Sequence, residues 1–303
     1  MKLNRSLAFL LFGLLALQFC SSPAVGAPPR VKHVFIISFD QGNPELIRTN
    51  DLPTFQQMEA NGARATEAYT IVPPLTLPSH TSMLTGVGIQ KHQITWNDYR
   101  PTNGIVKVPT IFGLAKDRKL KTAMFVGKEK FKHLELPGTI DELVWPQPDD
   151  DAKSIARVFA AEFGKTKPNL CFIHFRDPDT VGHKTGAYSL EKIQALKDCD
   201  DALKTIKDAV AAAGVLDQSV FILTADHGSH DSKDKNGKTI GSHSDARKED
   251  VLIPWVVWGK GVKKNFTITT PIVQYDTAAT ALWLLRVPLP EHFWGRPVTS
   301  AFK

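Results

Sequence analysis

The chain reads as an α/β protein, a three-layer α/β/α sandwich built on a mostly parallel central sheet. Three observations predict this. Short runs that are apolar almost throughout recur along the sequence, as strands buried on both faces require. Helix-like stretches fall between them, and such alternation puts helices on both sides of one sheet. Several runs also stop at or just before an aspartate or histidine, so residues far apart in sequence can meet at one sheet edge.

The first stretch, residues 1–27, has Lys2 and Arg5, an apolar run from Leu7 to Phe19, and small residues ending at Ala27. This is the layout of a secretory signal, and it predicts an exported protein, periplasmic or secreted. Anchoring as a lipoprotein through Cys20 is the alternative, opposed by the bulky Phe19 where a small residue is expected. The run is too short to span a bilayer comfortably, and no later segment reaches the ~20 apolar residues a span needs. Loss of the leader removes Lys2 and Arg5 but no acid, moving the formal charge from +6 to +4. Such mild basicity favours anionic small molecules. The chain has no block of Lys and Arg interleaved with aromatics, which argues against nucleic-acid recognition.

The 303 residues can bury a sizeable core, and residues 28–303 are expected to form one domain. Strands are predicted at Val31–Phe39, Thr122–Val126, Leu170–Phe175, Val220–Thr224 and Leu252–Trp258. Helices are predicted at Leu52–Asn61, Thr110–Lys116, Asp151–Phe163, Ser189–Ala213 and Tyr275–Leu285. Residues 145–151 (WPQPDDD) read as a proline-broken joint, and residues 229–238 (SHDSKDKNGK) as a charged loop. Cys171 falls in a strand and Cys199 in a helix, and both are expected to be buried thiols, a disulfide, which export permits, being the alternative.

In TIVPPLTLPSHTSMLTG, three prolines restrict the backbone around Thr76, and the segment after it looks helical. Thr76 is then either a helix cap or a hydroxyl beside the positive end of a helix, where an anionic phosphate is favoured. Asp179 and His183, four apart beyond a strand with Gly182 easing a turn, offer an oxygen and a nitrogen to one ion, though a solvated loop pair is the more frequent explanation of such spacing. The adjacent Asp226 and His227 follow the run VFILT, and His243 comes after a short polar loop. Carboxylates and imidazoles without clustered cysteines suit zinc or a related divalent ion, and the set is large enough for two.

The order Asp40, Thr76-Leu-Pro-Ser-His80, Asp179-x-x-x-His183, Asp226-His227-Gly228 and Gly-Ser-His243 resembles the alkaline phosphatase superfamily, closest to its type I phosphodiesterase/nucleotide pyrophosphatase branch. The resemblance implies an alkaline phosphatase-like fold and two zinc ions. Asp179, His183 and His243 would hold one, and Asp40, Asp226 and His227 would hold the other with Thr76. It also implies that Thr76 is the nucleophile, passing through a phosphothreonine, and that Asn97 donates to a phosphate oxygen. His80 and His92 match no metal position and are expected to be structural. Sulfatases of the superfamily place cysteine or serine where this chain has Thr76, and arginine where it has His80. Threonine cannot become a formylglycine, which argues against sulfate-ester hydrolysis.

Two departures stand out. Asp40 is followed by Gln41-Gly42-Asn43 where the branch has a glycine, and only a short segment separates His227 from His243. The second suggests an open site and withholds nucleotide specificity. The expected activity is phosphodiester or pyrophosphate hydrolysis. Phosphomonoesterase or phosphonate hydrolysis, or non-catalytic binding of a phosphorylated ligand, are the alternatives.

Overall fold

Alternate residues of the first strand, His33–Phe39, enter two different cores. Val34 and Ile36 pack on one face of the sheet, while Phe35, Ile37 and Phe39 pack on the other. The period-2 geometry of a strand therefore splits one apolar run between two layers. The computed structural model describes residues 27–144 and 151–303. All but Ala27 of the expected leader, and all but Asp151 of the proline-broken joint, lie outside the described residues.

Among the described residues, eight strands form the main sheet in the order Phe266–Ile268, Ala63–Ala65, Trp255–Gly259, Ser219–Thr224, His33–Phe39, Leu170–Phe175, Thr122–Val126, Glu142–Val144. Only Trp255–Gly259 runs against its neighbours. The first core is covered by the helices Thr76–Thr85, Ile111–Lys116 and Asp276–Leu284, and the second by Pro53–Ala60, Ala152–Thr166 and Leu190–Ala212. The result is the three-layer α/β/α sandwich with a mostly parallel sheet that the alternation predicts. Predicted helices and long strands fall within a few residues of their expected positions.

The differences lie in short elements. Residues 229–238, expected as a loop, supply part of an antiparallel hairpin in which His230–Lys233 pairs with Thr239–Ser242. Asp179 and His183 sit on a helix, Asp177–Thr185, rather than on a loop. Gly182 makes no turn there. A Cβ at that position would come within 2.2 Å of Gln41 Oε1, so glycine is needed for close approach. Cys171 and Cys199 are buried free thiols. Among the described residues no helix is long and apolar enough to cross a membrane.

Candidate active site

Four neighbouring parallel strands end side by side, and each delivers a charged group just beyond its carboxyl end. Asp226 follows Ser219–Thr224, and Asp40 directly follows His33–Phe39. The helix after Leu170–Phe175 carries Asp179 and His183, and Lys128 follows Thr122–Val126. His243 enters from the hairpin. All six expected acids and imidazoles thus converge with Thr76.

The histidines are oriented alike. Nδ1 of His183 donates to Gly241 O (2.9 Å), Nδ1 of His227 to Gly228 O (3.0 Å), and Nδ1 of His243 to Pro74 O (2.7 Å). Each backbone bond fixes the tautomer and turns the Nε2 lone pair toward the carboxylates, the arrangement metal-ligating imidazoles adopt. His183 Nε2 lies 3.3 Å from His243 Nε2 and 3.0 Å from Asp179 Oδ1. His227 Nε2 lies 3.2 Å from Asp226 Oδ2 and 3.6 Å from Asp40 Oδ1. The His227 ring also stacks on His243 at 3.7 Å between centroids. His227 is therefore within reach of both halves, with ligand atoms of Asp40, Asp226 and His227, and of Asp179, His227 and His243, each within 4.8 Å of one another.

Thr76 is the first residue of its helix. Leu75 stands at the cap position with extended backbone and makes no side-chain cap bond. The capping alternative for Thr76 is thereby set aside. Its hydroxyl faces His227 Nε2 at 3.4 Å, and its amide belongs to the first turn, where no helical acceptor exists. Asn97 lies beside it. Its Oδ1 accepts from the Leu77 amide at 2.9 Å, which leaves the side-chain NH2 as a donor at the helix start. His80 is buried; Nδ1 bonds the Thr76 carbonyl at 2.8 Å, and Nε2 bonds Ser38 Oγ at 2.8 Å. His92 bonds Ser82 Oγ at 3.0 Å. Both have structural partners, and His80 holds the peptide carbonyl of Thr76.

The electrostatics suit cations. Asp40 Oδ1 and Asp226 Oδ2 are buried and accept no hydrogen bond from the described residues. Burial opposes the charge of Asp40, but Lys128 and His174 beside it hold its carboxyl well below the usual range. Burial and the neighbouring Asp40 push Asp226 well above it. Two carboxylates this close and this dry resist joint ionisation without added positive charge. Burial, together with the neighbouring His243, lowers His227, and burial also lowers His243, keeping both in the neutral form that binds metals. Orphaned carboxylate oxygens facing preset imidazole lone pairs are a donor set that fits divalent ions.

Sequence reasoning missed four contributors. His174 Nε2 donates to Asp40 Oδ2 at 2.9 Å; the lone histidine inside the apolar run LCFIHF was its only signal. Lys128 Nζ lies 2.6 Å from Asp40 Oδ2 and 2.5 Å from Asp179 Oδ2. Gln41, in the left-handed region at φ 61°, donates its amide N–H to Asp226 Oδ1 and its side-chain Nε2 to Asp179 Oδ1, each at 3.1 Å. Buried Lys192 donates to Gln41 Oε1 and Ser229 Oγ, each at 2.7 Å, and burial pulls it down to about 7. A lysine within a helical stretch gives no sign of such a place.

Comparison with known proteins agrees with the fold. Human ectonucleotide pyrophosphatase/phosphodiesterase family member 7 is 22% identical over 253 residues, covering 75% of this chain and 55% of that protein. The chain thus spans about half the length of that relative. The structure of murine ectonucleotide pyrophosphatase/phosphodiesterase 5 superposes with a TM-score of 0.76 at 16% identity, covering 90% of this chain and 100% of the other. An inactive form of the murine protein in complex with AMP superposes with a TM-score of 0.76 at 15% identity and the same coverage. The type I phosphodiesterase/nucleotide pyrophosphatase family profile matches residues 34–280, taking in the Asp40, Thr76, Asp179, Asp226 and His243 segments, and the chain belongs to that family.

Proposed function

We propose that this protein is an exported, metal-dependent phosphoric ester hydrolase that acts on phosphodiester or pyrophosphate bonds through Thr76. The observation that carries the reading is the Thr76 hydroxyl, uncommitted to capping, at a helix start and 3.4 Å from His227 Nε2, between two acid and imidazole clusters. Binding alone would not need a nucleophile there. Asp40, Asp226, His227 and Thr76 would hold one divalent ion, and Asp179, His183 and His243 a second, zinc being suited to this N/O set. When bound, such ions lower the pKa of a coordinated hydroxyl and neutralise charge on phosphoryl and departing oxygens.

The chain's own groups then act in order. Thr76 Oγ gives up its proton to solvent and attacks phosphorus, forming a P–O bond as the ester P–O bond breaks and the departing oxygen keeps that electron pair and takes a proton from water. The Asn97 NH2 and the Thr76 amide donate to the phosphoryl oxygens, each worth about 3 kcal/mol if preorganised. Water next cleaves the phosphothreonine and restores the hydroxyl. The AMP bound by the murine relative supports a phosphorylated small molecule as substrate. The leader-like residues 1–27 support export.

Turnover of a bis-aryl phosphate diester, compared with an aryl monoester, tests this. The diester should be hydrolysed faster, chelator should abolish turnover, and Thr76→Ala should lower it by at least about 1000-fold, as loss of a covalent nucleophile does. Unchanged turnover in Thr76→Ala would remove the covalent route. Faster monoester hydrolysis would instead make the protein a phosphomonoesterase.

A further inference from the structure

The two halves of the site are not equally ready for a cation. In the half formed by Asp40, Asp226, His227 and Thr76, one oxygen of each carboxylate accepts no hydrogen bond from the described residues. The other half rests on a single carboxylate, Asp179, and both its oxygens are engaged. Oδ1 accepts from Gln41 Nε2 at 3.1 Å and lies 3.0 Å from His183 Nε2, while Oδ2 lies 2.5 Å from Lys128 Nζ. Lys128 also reaches Asp40 Oδ2 at 2.6 Å, but on the oxygen that His174 already bonds, so Asp40 keeps Oδ1 open.

An ammonium and a divalent ion compete for the same carboxylate. They repel one another, and a side chain tethered to the fold is always present at high effective concentration. The Lys128 side chain is only 15% exposed, so little water screens that competition. From this geometry, and granting the metal centre described under Proposed function, we infer that the halves load unequally. Asp40, Asp226, His227 and Thr76 hold a resident divalent ion, whereas Asp179, His183 and His243 take theirs only by displacing Lys128. In the singly loaded protein Lys128 supplies the positive charge that Asp179 needs.

Titration of the metal-free protein with Co2+, followed by calorimetry and d–d absorption, tests this without reference to turnover. The expected result is two steps, the second at least about 100-fold weaker than the first, the upper range over which groups around a metal ligand alter affinity. Lys128→Met should tighten the second step by about 10-fold or more relative to the first, whereas a merely structural lysine would shift both together. Lys128→Gln carries the same expectation should the methionine variant not fold, and the two-step wild-type titration needs no variant. Two equal wild-type steps, or a Lys128 variant that leaves their ratio unchanged, would overturn the inference and spare the metal centre. No cobalt binding at any concentration would overturn the metal centre, and the inference with it.

Discussion

Thr76 and His174 show how the role of one side chain turns on a neighbour's geometry. Had the helix begun one residue later, the Thr76 hydroxyl would have bonded a first-turn amide; because Leu75 takes the cap position, it is left facing His227. His174 is a buried donor rather than a ligand. Its Nδ1 accepts from the Gly127 amide at 3.3 Å, which leaves Nε2 as the donor that orients Asp40. His174→Phe keeps a ring against His80 and Phe131 but loses that donor. Divalent-ion affinity should fall by about 10- to 100-fold with the fold retained, read by calorimetric titration. An unchanged affinity would show that Asp40 needs no such partner.

At the scale of elements, helices are tied to one another by side chains that cap across the fold. The Pro53–Ala60 helix has no cap of its own, and Asp200 of Leu190–Ala212 supplies it, accepting from the Thr54 amide at 2.9 Å and the Phe55 amide at 2.7 Å. Asp200→Ala should cost about 1–3 kcal/mol in urea unfolding, because two first-turn amides lose their acceptor. Burial raises the Asp200 carboxyl above its usual range despite those bonds. The folded state therefore keeps its proton to higher pH than the unfolded chain does. The group's contribution is greatest below the unfolded value of about 4 and falls as pH rises through the folded one. The stability advantage of wild type over Asp200→Asn should shrink across that window, and an advantage that grows with pH would contradict the assignment. Nothing in the sequence announced this cap, because Asp200 and Thr54 are brought together only by helix packing.

At the scale of the whole molecule, the groups of the candidate site come from strands whose sequence order differs from their order in the sheet. Asp226, Asp40, Asp179 and Lys128 line up because Ser219–Thr224, His33–Phe39, Leu170–Phe175 and Thr122–Val126 are neighbours. Bound cations would then tie several strand ends at once. At a free ion concentration about 1000 times the dissociation constant, linkage adds about 4 kcal/mol. Chelation should therefore lower the melting temperature by on the order of 10 °C, measured by calorimetry. A melting temperature indifferent to chelator would mean that the acids are not ligands in the folded protein.

The sequence by itself determined the layers and named most of the residues that meet at the candidate site. Apolar runs such as His33–Phe39 and Leu170–Phe175 have the length and composition of strands buried on both faces, and the acids and imidazoles at their ends carry their chemistry in their residue type. Tertiary structure decided what depends on distance and orientation. It put Asp179 and His183 on a helix, turned three Nε2 atoms inward through bonds to backbone carbonyls, and opened the Thr76 hydroxyl to His227. It also brought in Lys128, His174, Gln41 and Lys192, whose positions follow from strand order and helix packing. Local pattern records which face a residue presents, whereas the partner it meets there is chosen by elements tens or hundreds of residues away.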